Sequence, residues 1–149
     1  DHASARGPRA APLTAPTGDP TMPLIRLTVP DHLPQPQVDS LAHAVHAALV
    51  NCCNVPPDDR FIVVTRLPAR SLMLDPHFPG VQRSRDACIV ETTLLAGRTH
   101  AQKAAFYREA VQAATQAGFR PDDILLALTE NTAMDWSLGL GVAYGAAEA

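Results

Sequence analysis

The tripeptide Pro-Asp-Asp occurs twice, at residues 57–59 and 121–123, each time between a helical pattern and a run of β-forming residues. A helix, an acidic turn and a strand that recur in the same order 64 positions later read as one unit copied and joined to itself. That restricts the fold more than any single motif. The first copy opens with Leu24-Ile25-Arg26-Leu27-Thr28-Val29, whose apolar–polar alternation predicts a strand. Pro34 and Pro36 suit a helix start, where a missing amide hydrogen costs nothing. Val38, Leu41, Ala42, Val45, Leu49 and Cys52 form one apolar stripe through about residue 53. After the turn at Val55–Asp59, Arg60–Thr65 predicts a second strand. In the second copy Cys88–Leu95 reads as a strand, and Thr99 with Gln102 as a capping box. Phe106, Ala110, Ala113, Ala114 and Ala117 make the helix stripe, Gly118 ends it, and Ile124–Leu128 is the last strand.

A helix that crosses between two neighbouring strands requires them to be parallel, with a right-handed connection. The expected fold is therefore α+β: a duplicated β-α-β unit, a four-stranded sheet with two helices on one face, and residues 67–86 as linker. The other sheet face is left uncovered, so an oligomer is expected. In a parallel unit both strands begin at one edge of the sheet, which places Pro23 and Asp59 together. If the copies are related by a two-fold, the third strand ends at that same edge and brings Arg98 there. An amine, a carboxylate and a guanidinium then meet at one rim.

Composition narrows the function. Of 149 residues, 46% are hydrophobic and 18% charged, the balance of a soluble globular chain. No apolar run reaches the roughly 20 residues of a membrane span. The net charge of −3, with scattered Lys and Arg, argues against nucleic acid. Cys52, Cys53 and Cys88 have no metal-type spacing and read as buried reduced thiols of a cytoplasmic protein. Residues 1–22 differ from the rest: prolines at 8, 12, 16 and 20 and Leu13 as the one large apolar residue up to Thr21 predict a disordered extension. It has no apolar core of a secretory signal, and Asp1 and Asp19 weigh against a transit peptide. Beginning with Asp rather than Met, it is expected to be a misplaced start, a cloning remnant or a removable leader before a domain spanning 23–149.

Met22-Pro23-Leu24-Ile25, Val55–Phe61, Gly97-Arg98-Thr99, Gln102–Tyr107, Glu130-Asn131 and Asp135–Gly139 together resemble the tautomerase superfamily, in the branch containing malonate semialdehyde decarboxylase. The resemblance covers residues 22 to about 145. It implies a homotrimer, no cofactor or metal, a small carboxylic-acid substrate, and an amino-terminal proline freed by removal of the initiator Met. Pro23 would then be a secondary amine titrating near ~7.7–8.0 before its surroundings act on it. Such an amine is a base for keto–enol tautomerisation, or an acid for decarboxylation and hydration. Within a longer chain the same nitrogen is an amide that merely begins an edge strand. Arg98 matches the family arginine, suited to bidentate carboxylate binding, and Asp59 the family carboxylate that polarises a carbonyl or orients water. Trp136 and Leu138 fall on the pocket wall.

Departures from the decarboxylase pattern weaken that activity. Ala96 stands where a second arginine is expected, Leu138 replaces an aromatic, and Ile62 replaces a polar residue. Arg83 or Arg85 in the linker are the available substitutes for the missing charge. A generic tautomerase is favoured, with a decarboxylase or hydratase and a catalytically silent trimeric binding protein as alternatives. His43 and His46, with Asp39 before them, could form a metal pair but read as solvated residues on the polar side of the helix. Cys52 and Cys88 read as inert core thiols rather than nucleophiles. Glu91 is either a pocket group or a solvent-side strand residue.

Overall fold

Alternating burial along residues 24–30 produces the central strand. The computed structural model describes residues 21–145. Its elements are β1 (Leu24–Pro30), α1 (Gln35–Cys53), β2 (Ile62–Leu67), β3 (Cys88–Leu95), α2 (His100–Gln116) and β4 (Ile124–Asn131). The sheet order is β2-β1-β3-β4, with β1 parallel to β2, β3 parallel to β4, and β1 antiparallel to β3. Two parallel βαβ units thus join along an antiparallel seam, the duplicated α+β arrangement expected.

Ile25, Leu27 and Val29 of β1, with Cys88, Val90 and Leu94 of β3, share one core with Val38, Leu41, Val45 and Leu49 of α1 and Phe106 and Ala114 of α2. Burying a large aliphatic side chain contributes about 1.5–3 kcal/mol, so this layer dominates stability. The intervening strand residues, Arg26 and Glu91 among them, face away from the helices and lie opposite each other in the β1–β3 register.

Local chemistry sets the ends. Thr99 and Gln102 form the expected capping box of α2, and Gly118, at φ +95°, takes the left-handed turn beyond its end. β2 starts two residues later than expected, because the Arg60 amide still donates to Asp58 within the acidic turn. The second acidic turn has another task. Buried Asp123 accepts from the Ser84 amide at 2.7 Å and the Ser84 hydroxyl at 2.6 Å, while Asp122 accepts from the Gln82 amide. That ties the end of the linker to the start of β4.

Residues 1–20 of the expected disordered extension lie outside the described residues. Its last two residues differ from expectation: Thr21 and Met22 are 1% and 4% exposed. The Leu95 amide donates to the Thr21 carbonyl at 3.1 Å, continuing the β1–β3 ladder beyond Pro23. Backbone pairing of this kind is blind to side-chain hydrophobicity, so composition did not foresee it.

The carboxyl-terminal segment from Thr132 forms a separate unit. A single turn at Ala133–Asp135 is capped by the Asp135 carboxylate, which accepts from the Thr132 amide and hydroxyl, each at 2.9 Å. A loop then closes through the Ser137–Ala143 bridge.

Candidate active site

Two strand ladders deliver the three candidate residues toward one rim. Continuing the β1–β2 register, in which Ile25 faces Ile62, sets Pro23 opposite Arg60 and Met22 opposite Asp59. Continuing the β1–β3 register sets Pro23 opposite Leu94, four residues before Arg98. Neighbouring strands lie about 4.8 Å apart, so Pro23 is flanked by the Asp59 turn and the end of β3.

Asp59 is half-buried, and Oδ2 accepts from the Thr21 hydroxyl at 2.6 Å. The turn is closed by the Asp59 amide donating to the Pro56 carbonyl at 3.0 Å. The Asp59 carbonyl accepts from Nε2 of His46 at 3.2 Å. That histidine corrects the sequence reading: His43 is exposed as expected, but His46 is only 7% exposed. α1 is buried around much of its circumference, from Val38 and Leu41 through Ala44 and His46 to Cys53. The single stripe was therefore too narrow. Among the described residues no group of three His, Cys, Asp or Glu side chains could hold a metal ion.

Arg98 is 8% exposed, with Nε donating to the Cys53 carbonyl at 3.1 Å and Nη1 to the Leu95 carbonyl at 3.3 Å. The guanidinium thus joins the end of α1 to the end of β3. Lys103 pairs with Glu130, fastening the first turn of α2 to the end of β4. The Ala96 amide donates to the Asn131 carbonyl, so this exposed loop residue is backbone-held but carries no charge.

Arg83 and Arg85 precede β3, whereas Arg98 follows it. Eight strand residues at about 3.3 Å each separate the two ends by about 25 Å, so neither replaces the missing arginine within one chain. Arg83 instead donates from Nη1 to the carbonyls of Asp75 and Phe78, at 2.6 and 2.5 Å. Glu91 is exposed on the open sheet face opposite Arg26. Trp136, half-buried, and Leu138, 42% exposed, belong to the separate carboxyl-terminal unit.

The cysteines are poor nucleophiles. Burial pushes the Cys88 thiol up to about 12, with nearby Asp123 adding to the shift. Burial and a hydrogen bond to Glu109 push Cys52 up to about 11. Burial also raises Cys53, although Arg98 works against it. All three are free thiols.

Residues 59–139 match a family model described as tautomerase enzyme. The chain is 29% identical over 121 residues to the probable tautomerase YusQ of Bacillus subtilis (strain 168), covering 80% of this chain and 95% of that protein. It is 30% identical to FG41 malonate semialdehyde decarboxylase, solved inhibited by 3-bromopropiolate; the match covers 84% of this chain and 95% of the other, with a TM-score of 0.79. A second malonate semialdehyde decarboxylase, described with decarboxylase and hydratase activities and solved also as a mutant of its first-residue proline, is 30% identical. That match covers 80% of this chain and 92% of the other, with a TM-score of 0.74.

Proposed function

The chain belongs to the tautomerase family of isomerases, and we propose that it interconverts keto and enol forms of a small carboxylic acid without a cofactor, using Pro23 as an amino-terminal base. The observation that carries this reading is the 2.6 Å hydrogen bond from Thr21 to Asp59. It supports a Pro23 nitrogen lying beside a carboxylate once Thr21 and Met22 are removed. The free amine takes the proton from the enol oxygen and returns it to the far carbon of the enol double bond, so one O–H bond breaks, one C–H bond forms, and the C=C–O unit becomes C–C=O. Arg98 would bind the substrate carboxylate and stabilise enolate charge, where a guanidinium near a buried reaction centre acts more strongly than in water.

Decarboxylation or hydration of a 3-oxo acid is the second reading, favoured by the 30% identity to two malonate semialdehyde decarboxylases. Asp59 would then orient water or polarise a carbonyl, while the absence of a cation at Ala96 favours the tautomerase. A chain whose Pro23 stays acylated would be a silent binding protein.

The uncovered sheet face, where half-buried Leu24, Ile89 and Leu125 accompany Val63 at 42% exposure, suits a homotrimer. Among the described residues no helix is long and apolar enough to cross a membrane, and with the three free thiols this is consistent with a cytoplasmic setting. The test is a chain beginning at Pro23, assayed with phenylenolpyruvate and with malonate semialdehyde. Ketonisation that is lost in Pro23→Ala, without carbon dioxide release, is the expected result. Activity untouched by Pro23→Ala would overturn the proline base.

A further inference from the structure

We infer that His46 is a positioning residue, which anchors the Asp59 turn through its backbone and so leaves the Asp59 carboxylate available at the rim. This rests on the proposed role of Asp59 and goes beyond it. Nε2 of His46 lies 3.2 Å from the Asp59 carbonyl. A carbonyl only accepts, so Nε2 carries the proton and donates it. The ring reaches the turn from α1, which is itself fixed by the core through Val45 and Leu49 on either side of it. Buried polar groups are kept where a partner offsets their desolvation, and here the partner is the backbone of a candidate site residue.

The duplicated unit supplies an internal comparison. Sixty-four residues after His46 stands Ala110, which is 1% exposed and has no side-chain donor. The turn in that copy is fastened differently: the Asp123 carboxylate itself takes both the amide and the hydroxyl of Ser84. One turn is anchored through its carboxylate, the other through its carbonyl. Only the second arrangement frees a carboxylate for substrate. Among the described residues Thr21, which precedes Pro23, is the one hydrogen-bond donor to the Asp59 carboxylate.

The experiment compares His46→Leu with His46→Gln, whose side-chain amide can again donate. In the full 149-residue chain, His46→Leu should speed hydrogen exchange at the Asp59 and Arg60 amides by about tenfold, leave the Val45 and Leu49 amides unchanged, and be reversed in His46→Gln. Unchanged exchange at Asp59 and Arg60, or acceleration that Gln does not reverse, would overturn the proposal. In the chain beginning at Pro23, His46→Leu should lower kcat/KM about tenfold for whichever reaction Asp59→Asn impairs. It should add less than about twofold once Asp59→Asn is present, because the two changes act through one group. A full tenfold loss in both backgrounds would mean a general structural role and would sink it. His46→Phe, a ring without a donor, replaces His46→Leu if the latter does not fold. If the Pro23 chain turns over no substrate, the tautomerase reading fails by itself and the exchange data alone decide the role of His46.

Discussion

The Thr21 hydroxyl donates to Asp59 at 2.6 Å, so the residue two places before Pro23 occupies the carboxylate that the proposed chemistry needs. Met22, between Thr21 and Pro23, is 4% exposed and adopts a left-handed φ of +44°. A non-glycine residue held there costs roughly 1 kcal/mol or more, which the flanking pairing to Leu95 offsets.

The full chain should therefore be inactive in ketonisation of phenylenolpyruvate, and the chain beginning at Pro23 active. An acylated proline nitrogen has neither a basic lone pair nor a proton to give. Both chains retain the core, which is built from Ile25 onward. Equal activity in the two would exclude the amino-terminal proline mechanism.

Asp59→Asn preserves shape and removes negative charge. In the chain beginning at Pro23, any decarboxylation or hydration should fall at least tenfold further than tautomerisation, read as kcat/KM on each substrate. Parallel losses would assign Asp59 to the turn alone.

Arg98→Ala should lower kcat/KM for an acidic enol by about 10- to 150-fold, the value of a charged hydrogen-bonded contact at roughly 1.5–3 kcal/mol. Because Arg98 is buried against the carbonyls of Cys53 and Leu95, the substitution should also destabilise the fold in denaturant titration. An unchanged rate in a folded variant would remove Arg98 from the site.

The two aspartates that occupy equivalent places in the repeat should respond differently. Asp123→Ala removes a buried carboxylate, leaves two part-buried Ser84 donors unpaired, and should cost about 3 kcal/mol in urea unfolding. Asp59→Ala, at a half-buried position with one donor, should cost about 1 kcal/mol. Similar losses would contradict the different anchoring of the two turns.

Alkaline pH should weaken the fold through Cys88. Its folded thiol ionises at about 12 against an ordinary value of 9.0, so above that ordinary value the unfolded chain gives up its proton first. The folded state then holds more protons, and stability falls as pH rises. The contribution is whole below about pH 9 and is lost progressively toward pH 12. Unfolding titrations at pH 8 and 10.5 should show a steeper loss in the parent than in Cys88→Ala; matching slopes would argue that Cys88 is not desolvated.

Local chemistry was sufficient for the elements. The alternation at Leu24–Val29, the Thr99–Gln102 box and Gly118 each specify structure through neighbours within four residues, and all appear where expected. The copied Pro-Asp-Asp turns fixed strand direction, because a crossover helix allows only parallel partners. From that followed the expectation that Pro23, Asp59 and Arg98 share one rim, toward which the strand registers run. What surrounds each group could not. His46 looked solvated because helical periodicity reports one apolar face, whereas the Asp59 turn covers α1 from a direction its own sequence does not encode. Arg98 was expected at the rim as a carboxylate binder, yet its contact with the Cys53 carbonyl, 45 residues earlier in the chain, was not legible. Arg83 and Arg85 looked like spare cations until the length of β3 separated them from the rim. Periodicity determined which elements form, while contacts between distant segments decided which polar groups are buried and what they hold.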